Sequence, residues 1–168
     1  MEGLRQALLA PACGTFLLLG GCIVAMKDMV ECRYSLKDDN GKILLRHPYK
    51  PWEPVDQKHE EMAERAFRAF KMNENVKEWT FMSVPLVWSI AIFGGDLPYV
   101  TPNMIDTFVI SSCLSYALVN HRYIKGYVES PSRRIQAFYL RFTIWKIWLV
   151  LAGLCLLWGI LQRFGLDI

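Results

Sequence analysis

The strongest constraint in this chain is that its apolar residues are gathered into four long blocks. Residues 6–26, QALLAPACGTFLLLGGCIVAM, hold no charged side chain, and residues 142–161 hold only Lys146. Residues 79–95 and 99–119 form two further blocks, the second of these with Pro102 and Asp106 near its start. The hydrocarbon core of a bilayer is roughly 30 Å thick and takes about 20 apolar residues in helix. The pattern therefore predicts an all-α, integral membrane four-helix bundle, a single domain over residues 1–168. Its spans are placed at about 6–26, 72–95, 101–121 and 138–161, with a cytosolic loop over about 27–71. The alternative is a soluble bundle. Soluble helices show a polar face, and the first and fourth blocks show almost none.

Composition closes off other classes. Aromatic residues at 13% and charged residues at 21% are too many and too few, respectively, for a disordered chain. Five cysteines in 168 residues are too sparse for a disulfide scaffold. A net charge of +3 is too mild to argue for a nucleic-acid partner. Cleavage of the first block as a leader is set aside because its apolar run exceeds the core of a signal peptide.

Four spans put both termini on one side, and the distribution of basic residues sets which side that is. Between the first two blocks lie eleven Lys and Arg residues, from Lys27 to Lys77. Between the third and fourth lie Arg122, Lys125, Arg133 and Arg134. The turn DLPYVTPN between the second and third has none. The first and third loops are therefore expected to face the cytosol. Cys13, Cys22, Cys113 and Cys155 fall within spans and Cys32 on the reducing side, so no disulfide is expected.

The first long loop divides in two. Residues 36–56 contain DDNG and then Pro48, Pro51 and Pro54, which predicts a turn and an irregular linker. Residues 58–78 lack Gly and Pro and are rich in helix formers. They run into the second apolar block, so one long helix is expected, its first half at the membrane surface. Arg68, Lys71, Asn75 and Glu78 are spaced +3, +4 and +3 and share one face of that helix. A second polar cluster, NHRYIKGYVESPSRRI, follows the third block. Taken singly, each cluster reads as a solvated face or an interfacial anchor. Together they offer cations for carboxylates, an amide and carboxylate for an amine, and phenols for peptide groups. That inventory suits a small, zwitterionic, peptide-like ligand beside a lipid-facing wall. Arg141 and Lys146 on the fourth span are read as snorkelling to the cytosolic boundary. Lys146, the deeper of the two, is also placed to guide an anionic lipid.

The N-x-x-E-W motif at Asn75–Trp79 and H-x-Y-x-x-G-Y-x-E-x-x-x-x-R-I at His121–Ile135 resemble the membrane-associated proteins in eicosanoid and glutathione metabolism (MAPEG). Within that family they are similar to type-two microsomal glutathione transferases and leukotriene C synthases. The resemblance covers roughly residues 64–138, including E-R-x-F-R-A at Glu64–Ala69. It implies a homotrimer in the endoplasmic reticulum or nuclear envelope. Glutathione, as co-substrate, would bind between subunits on the cytosolic side, and lipophilic electrophiles derived from fatty acids would enter from the membrane. It further implies that Asn75 and Glu78 hold the γ-glutamyl end, that Trp79, Tyr123 and Tyr127 contact the tripeptide, and that Arg134 sits by the thiol. Arg33 would reach in from the adjacent subunit. The family's helix-two cation stands four residues before the asparagine. Lys71 fills that place when Asn75 and Glu78 set the alignment, and Arg68 when Glu64–Ala69 sets it. Tyr34 follows Arg33 where leukotriene C synthases carry a second arginine.

The implied chemistry is thiolate attack. A free cysteine thiol has a pKa of about 8.5, and a guanidinium a few Å away lowers such a value by roughly one to three units. Arg134 is assigned that task, with Arg133 the neighbour that could turn inward instead. No metal is expected, because His47, His59 and His121 are scattered. The expected activity is conjugation of glutathione to lipophilic electrophiles, with leukotriene C synthesis or peroxide reduction as variants. The alternative is a non-catalytic lipid-binding scaffold similar to five-lipoxygenase-activating protein, which lacks an arginine at the Arg134 position.

Overall fold

The computed structural model describes residues 2–35, 40–41, 60–129 and 131–165. Within its helices, the side chains of 2–7, Arg33, Ser35, Glu60, Met62 and 131–133 lie outside the description. Four helices account for almost all of it: α1 Glu2–Ser35, α2 Glu60–Phe93, α3 Pro102–Glu129 and α4 Pro131–Arg163. A 3-10 turn, Gly94–Asp96, leads out of α2. No strand occurs among the described residues. The expected linker over 36–56 lies outside the description except for Asn40 and Gly41. Gly41 has φ of +78°, in the left-handed region that a turn at DDNG calls for.

Each helix overruns its apolar block. α1 continues past Met26 to Ser35, and α2 is the expected long helix, beginning in the charged stretch at Glu60. The third loop nearly vanishes: α3 ends at Glu129 and α4 begins at Pro131, a residue suited to the first helical position because it needs no N–H partner there.

Among the described residues, three segments are long and apolar enough to cross a membrane: Leu8–Cys32, Ala63–Asp96 and Arg134–Arg163. α3 has the length, roughly 42 Å for 28 residues, but its apolar stretch is broken up by Asp106 and by serines. Its serines turn back on their own helix. Ser111, Ser112 and Ser115 donate to the carbonyls of Phe108, Val109 and Ser111 at 3.2, 3.2 and 2.9 Å. Such back-bonding lets hydroxyls sit on a helix without solvent. The same back-bonding occurs one turn after each proline inside α1 and α2. Thr15 donates to the Pro11 carbonyl and Ser89 to that of Pro85, each at 2.8 Å.

Two apolar cores lie along the bundle. One gathers Leu18, Val87, Ile90, Val109, Cys113, Tyr116, Trp148 and Ala152. The other gathers Ala25, Ala69, Met72, Val76, Tyr123, Ile124 and Ala137. Indole donors tie neighbouring helices, Trp88 to Thr15 and Trp148 to Ser112, both at 2.9 Å. Many large apolar side chains point outward instead, including Phe16 and Phe81, more than three-quarters exposed. An outward apolar surface is what a lipid-facing helix carries.

α1 approaches α3 through glycines one heptad apart. A Cβ at Gly14 would lie 2.9 Å from the Cys113 sulfur, and one at Gly21 would collide with the Asn120 amide, whereas Gly20 has nothing within 4 Å. Small residues at such contacts let helices pack closely in a membrane. Gly21→Ala is therefore expected to destabilise the protein by about 1–3 kcal/mol and to lower its melting temperature in detergent. Gly20→Ala should leave that temperature unchanged or raise it; equal effects from the two would sever Gly21 from this contact.

Candidate functional site

Between the two cores runs a belt of polar side chains, one helix after another at the same level. Thr80 and Ser83 of α2, Asn120 of α3 and Arg141 of α4 are all buried. Cys22 of α1 donates its thiol to the Thr80 hydroxyl at 3.3 Å. Polar groups at this depth are expensive unless they meet one another, and the belt is where the four helices bring them together.

Arg141 is the centre of the belt. Its side chain is fully buried, among the largest so enclosed. Nη1 donates to Asn120 Oδ1 at 3.0 Å. The guanidinium lies over the Tyr123 ring at 4.0 Å and over the Trp79 ring at 5.0 Å. The expectation that Arg141 snorkels to the boundary is thus corrected. The helix carries it on the same face as Arg134, Phe138, Trp145 and Trp148 (spacings 4, 3, 4 and 3), and that face turns inward onto Tyr123 and Trp79.

From Arg141 a ladder of rings and cations climbs toward the α3–α4 junction. Tyr123 meets Tyr127 with ring centroids 5.5 Å apart. The Arg134 guanidinium lies over the Tyr127 ring at 4.7 Å. The Asn75 side chain lies beside the Tyr123 hydroxyl. The i, i+4 spacing on α3 stacks the two tyrosines, and the two-turn spacing on α4 puts one arginine at each end of the pair. Four residues assigned from sequence, Asn75, Tyr123, Tyr127 and Arg134, are therefore neighbours at one end of the bundle.

The remaining assignments fall elsewhere or carry less. Arg68 is paired with Glu64 at 3.2 Å and Lys71 with Glu74 at 2.9 Å, so each candidate cation already has an acid on its own helix. Both pairs are partly solvated, a setting in which ion pairs contribute little. Glu78 is exposed. Trp79 packs edge-on against Phe138, Phe142 and Trp145 at 6.2, 5.8 and 5.4 Å, which makes it the principal aromatic link from α2 to α4. The Arg33 side chain lies outside the described residues, as does that of Arg133. Asn73, not singled out in the sequence, is buried, with its amide donating to the Met29 sulfur at 3.4 Å.

Asn120, the first residue of the second polar cluster, and Arg141, expected only to snorkel, had no functional role assigned from the sequence. A signal was present: Asn120 stands three and seven residues before Tyr123 and Tyr127, on the same face of α3. What the sequence lacked was the α3–α4 register that sets Arg141 opposite that face. Comparison with models of known protein families gives no match, and no characterised protein matches the chain either.

Proposed function

We propose that this protein is an integral membrane glutathione transferase of the MAPEG type. It would conjugate the tripeptide thiol to lipophilic electrophiles at the cytosolic end of a four-span, homotrimeric bundle. The observation that carries the reading is the Asn75–Tyr123–Tyr127–Arg134 cluster, four groups of the resembled motifs at one place on the bundle. The basic loops favour the orientation that puts this cluster on the cytosolic side, as an enzyme of the endoplasmic reticulum or nuclear envelope requires.

In this reading the Asn75 amide and the two phenols bind polar parts of the peptide, while the Arg134 guanidinium faces the sulfur. Sulfur as thiolate attacks the electrophilic carbon. When that carbon belongs to an epoxide, the C–S bond forms as the C–O bond breaks, and water supplies a proton to the released oxygen. Much of the rate gain comes from holding a water-soluble nucleophile against a membrane-soluble partner, since orientation alone contributes several powers of ten. Arg68 or Lys71 leaves its own acid partner to meet the peptide's carboxylate.

The test is a conjugation assay on detergent-purified protein, with a generic aromatic electrophile and a lipid epoxide. Glutathione-dependent product with either substrate supports the reading; bound lipid without product in both favours the non-catalytic scaffold. Parallel Arg68→Ala and Lys71→Ala variants should separate, one raising the glutathione KM by about tenfold, the loss of one charge-assisted hydrogen bond, and the other leaving it within twofold. Equal, negligible effects would remove the helix-two cation from the site.

A further inference from the structure

Arg141 is enclosed without an acid. Among the described residues no carboxylate pairs with it; its polar neighbours are the phenols of Tyr116 and Tyr123, with the Tyr123 hydroxyl beside the guanidinium. Asn120 takes Nη1, but Nε and Nη2 are buried with no hydrogen-bond partner. These two nitrogens form one edge of the guanidinium plane, the edge that holds a carboxylate through two parallel hydrogen bonds. One turn further along α4 the Trp145 indole N–H is also buried and unpartnered. Every orphaned group on this stretch of α4 is therefore a donor. Arg141 and Trp145 both lie against the ring of Trp79. Phe138 and Phe142 continue the wall, each half-buried, and the exposed Lys146 ammonium lies over the Phe142 ring at 4.4 Å. One cation is thus enclosed behind an aromatic wall and a second stands on its outer side.

We infer that the α2–α4 seam is a binding site for the carboxylate of a single-chain lipophilic acid. The head is bound by Nε and Nη2 of Arg141 with the Trp145 indole N–H as a further donor, and the chain runs along the Trp79, Phe142 and Trp145 rings. Charge complementarity selects the occupant: an enclosed positive charge with a free bidentate edge takes a planar oxyanion, and an aromatic wall on a membrane helix takes an alkyl chain. Arg141 lies ten residues into α4, about 15 Å from its start, a depth at which an acid from the adjoining leaflet can present its head. The acid replaces the Trp79 face as a partner of the guanidinium, exchanging a cation–π contact for two charge-assisted hydrogen bonds. The inference stands on the enclosed charge and not on the tripeptide site, and it is tested without any conjugation reaction.

The experiment uses full-length protein in detergent micelles, in alkaline buffer so that the acid is ionised. Dibromostearate is titrated while tryptophan quenching is followed, with its methyl ester as the probe for non-specific partitioning. A saturable component for the acid is expected, with the ester weaker by about ten- to a hundredfold, the span for charge-assisted hydrogen bonds. Arg141→Met is expected to reduce the acid to the level of the ester, and Arg141→Lys to recover part of the difference. Trp145→Phe keeps the ring and removes the N–H, and should weaken the acid by about threefold to tenfold. It serves as the second reading if Arg141→Met does not fold. Equal quenching by acid and ester in the unaltered protein overturns the inference, as does full competition by acetate at the same occupancy, which would mark a site for any small anion.

Discussion

Arg134→Ala is expected to lower conjugation at neutral pH by about 10- to 100-fold while leaving assembly unchanged. The size follows from the thiolate population. A thiol with a pKa of about 8.5 is only a few per cent ionised at neutral pH. A guanidinium that lowers it by about two units makes most of it anionic. Lower basicity returns part of that gain as weaker nucleophilicity, and lost orientation adds to the deficit. The sign with pH is fixed by the same argument. A thiol stabilised as its anion reaches its plateau rate at lower pH, so on the proposed reading the unaltered protein levels off early. The alanine variant keeps gaining rate up to the ordinary thiol pKa, and its deficit shrinks as pH rises. Arg134 is partly exposed and its contact with Tyr127 is a cation–π pair, worth about 0.5–1 kcal/mol at such a site, so folding survives its loss. The measurements are a pH–rate profile and size-exclusion chromatography of the two proteins. A variant with unchanged turnover, or with a deficit constant across pH, would leave the thiolate to another group.

Legibility in the sequence followed physical range. Helix identity was readable because it depends on neighbours: the apolar blocks, the absence of Gly and Pro from 58–78 and the punctuation at DLPYVTPN predict α2 and its turn into α3. Helix ends were less readable, since Lys27–Ser35, His121–Glu129 and Pro131–Ile135 are charged and polar yet helical. Amphipathic extension beyond a membrane boundary leaves no apolar signature. The Tyr123–Tyr127–Arg134 grouping was legible from local spacing and from the motif. Arg141 was not, because burial of a charge depends on what the facing helix offers. On α4 alone it is a basic residue near a boundary; only with Tyr123, Asn120 and Trp79 around it does an inward position become affordable. Trp79 shows the converse. The motif assigns it to a ligand, and its ring lies among Phe138, Phe142 and Trp145, where it joins two helices.

Asn120→Leu should be the most destabilising single change in the belt, by about 2–4 kcal/mol, and Arg141→Met should largely cancel it. Leucine matches asparagine in shape but removes the acceptor of Arg141 Nη1, which leaves an enclosed guanidinium supported by aromatic faces alone. Loss of one partner of a buried charge carries a penalty of this order, whereas removal of the charge itself is often neutral or stabilising. Arg141→Met keeps the apolar stem and deletes the charge, so by itself it is expected to hold stability or raise it by about 1 kcal/mol. The double variant should lie within about 1 kcal/mol of Arg141→Met, giving a coupling of about 2 kcal/mol or more between residues 21 positions apart in sequence. Thermal or denaturant unfolding of the four proteins in one detergent, without added lipid, closes the cycle. Additive effects would detach Asn120 from the guanidinium. A large loss from Arg141→Met alone would make the arginine a structural brace whose positive charge is already balanced within the chain. The expected pattern, a charge that the bundle tolerates but does not need for folding, is the signature of a group kept for something that binds to it.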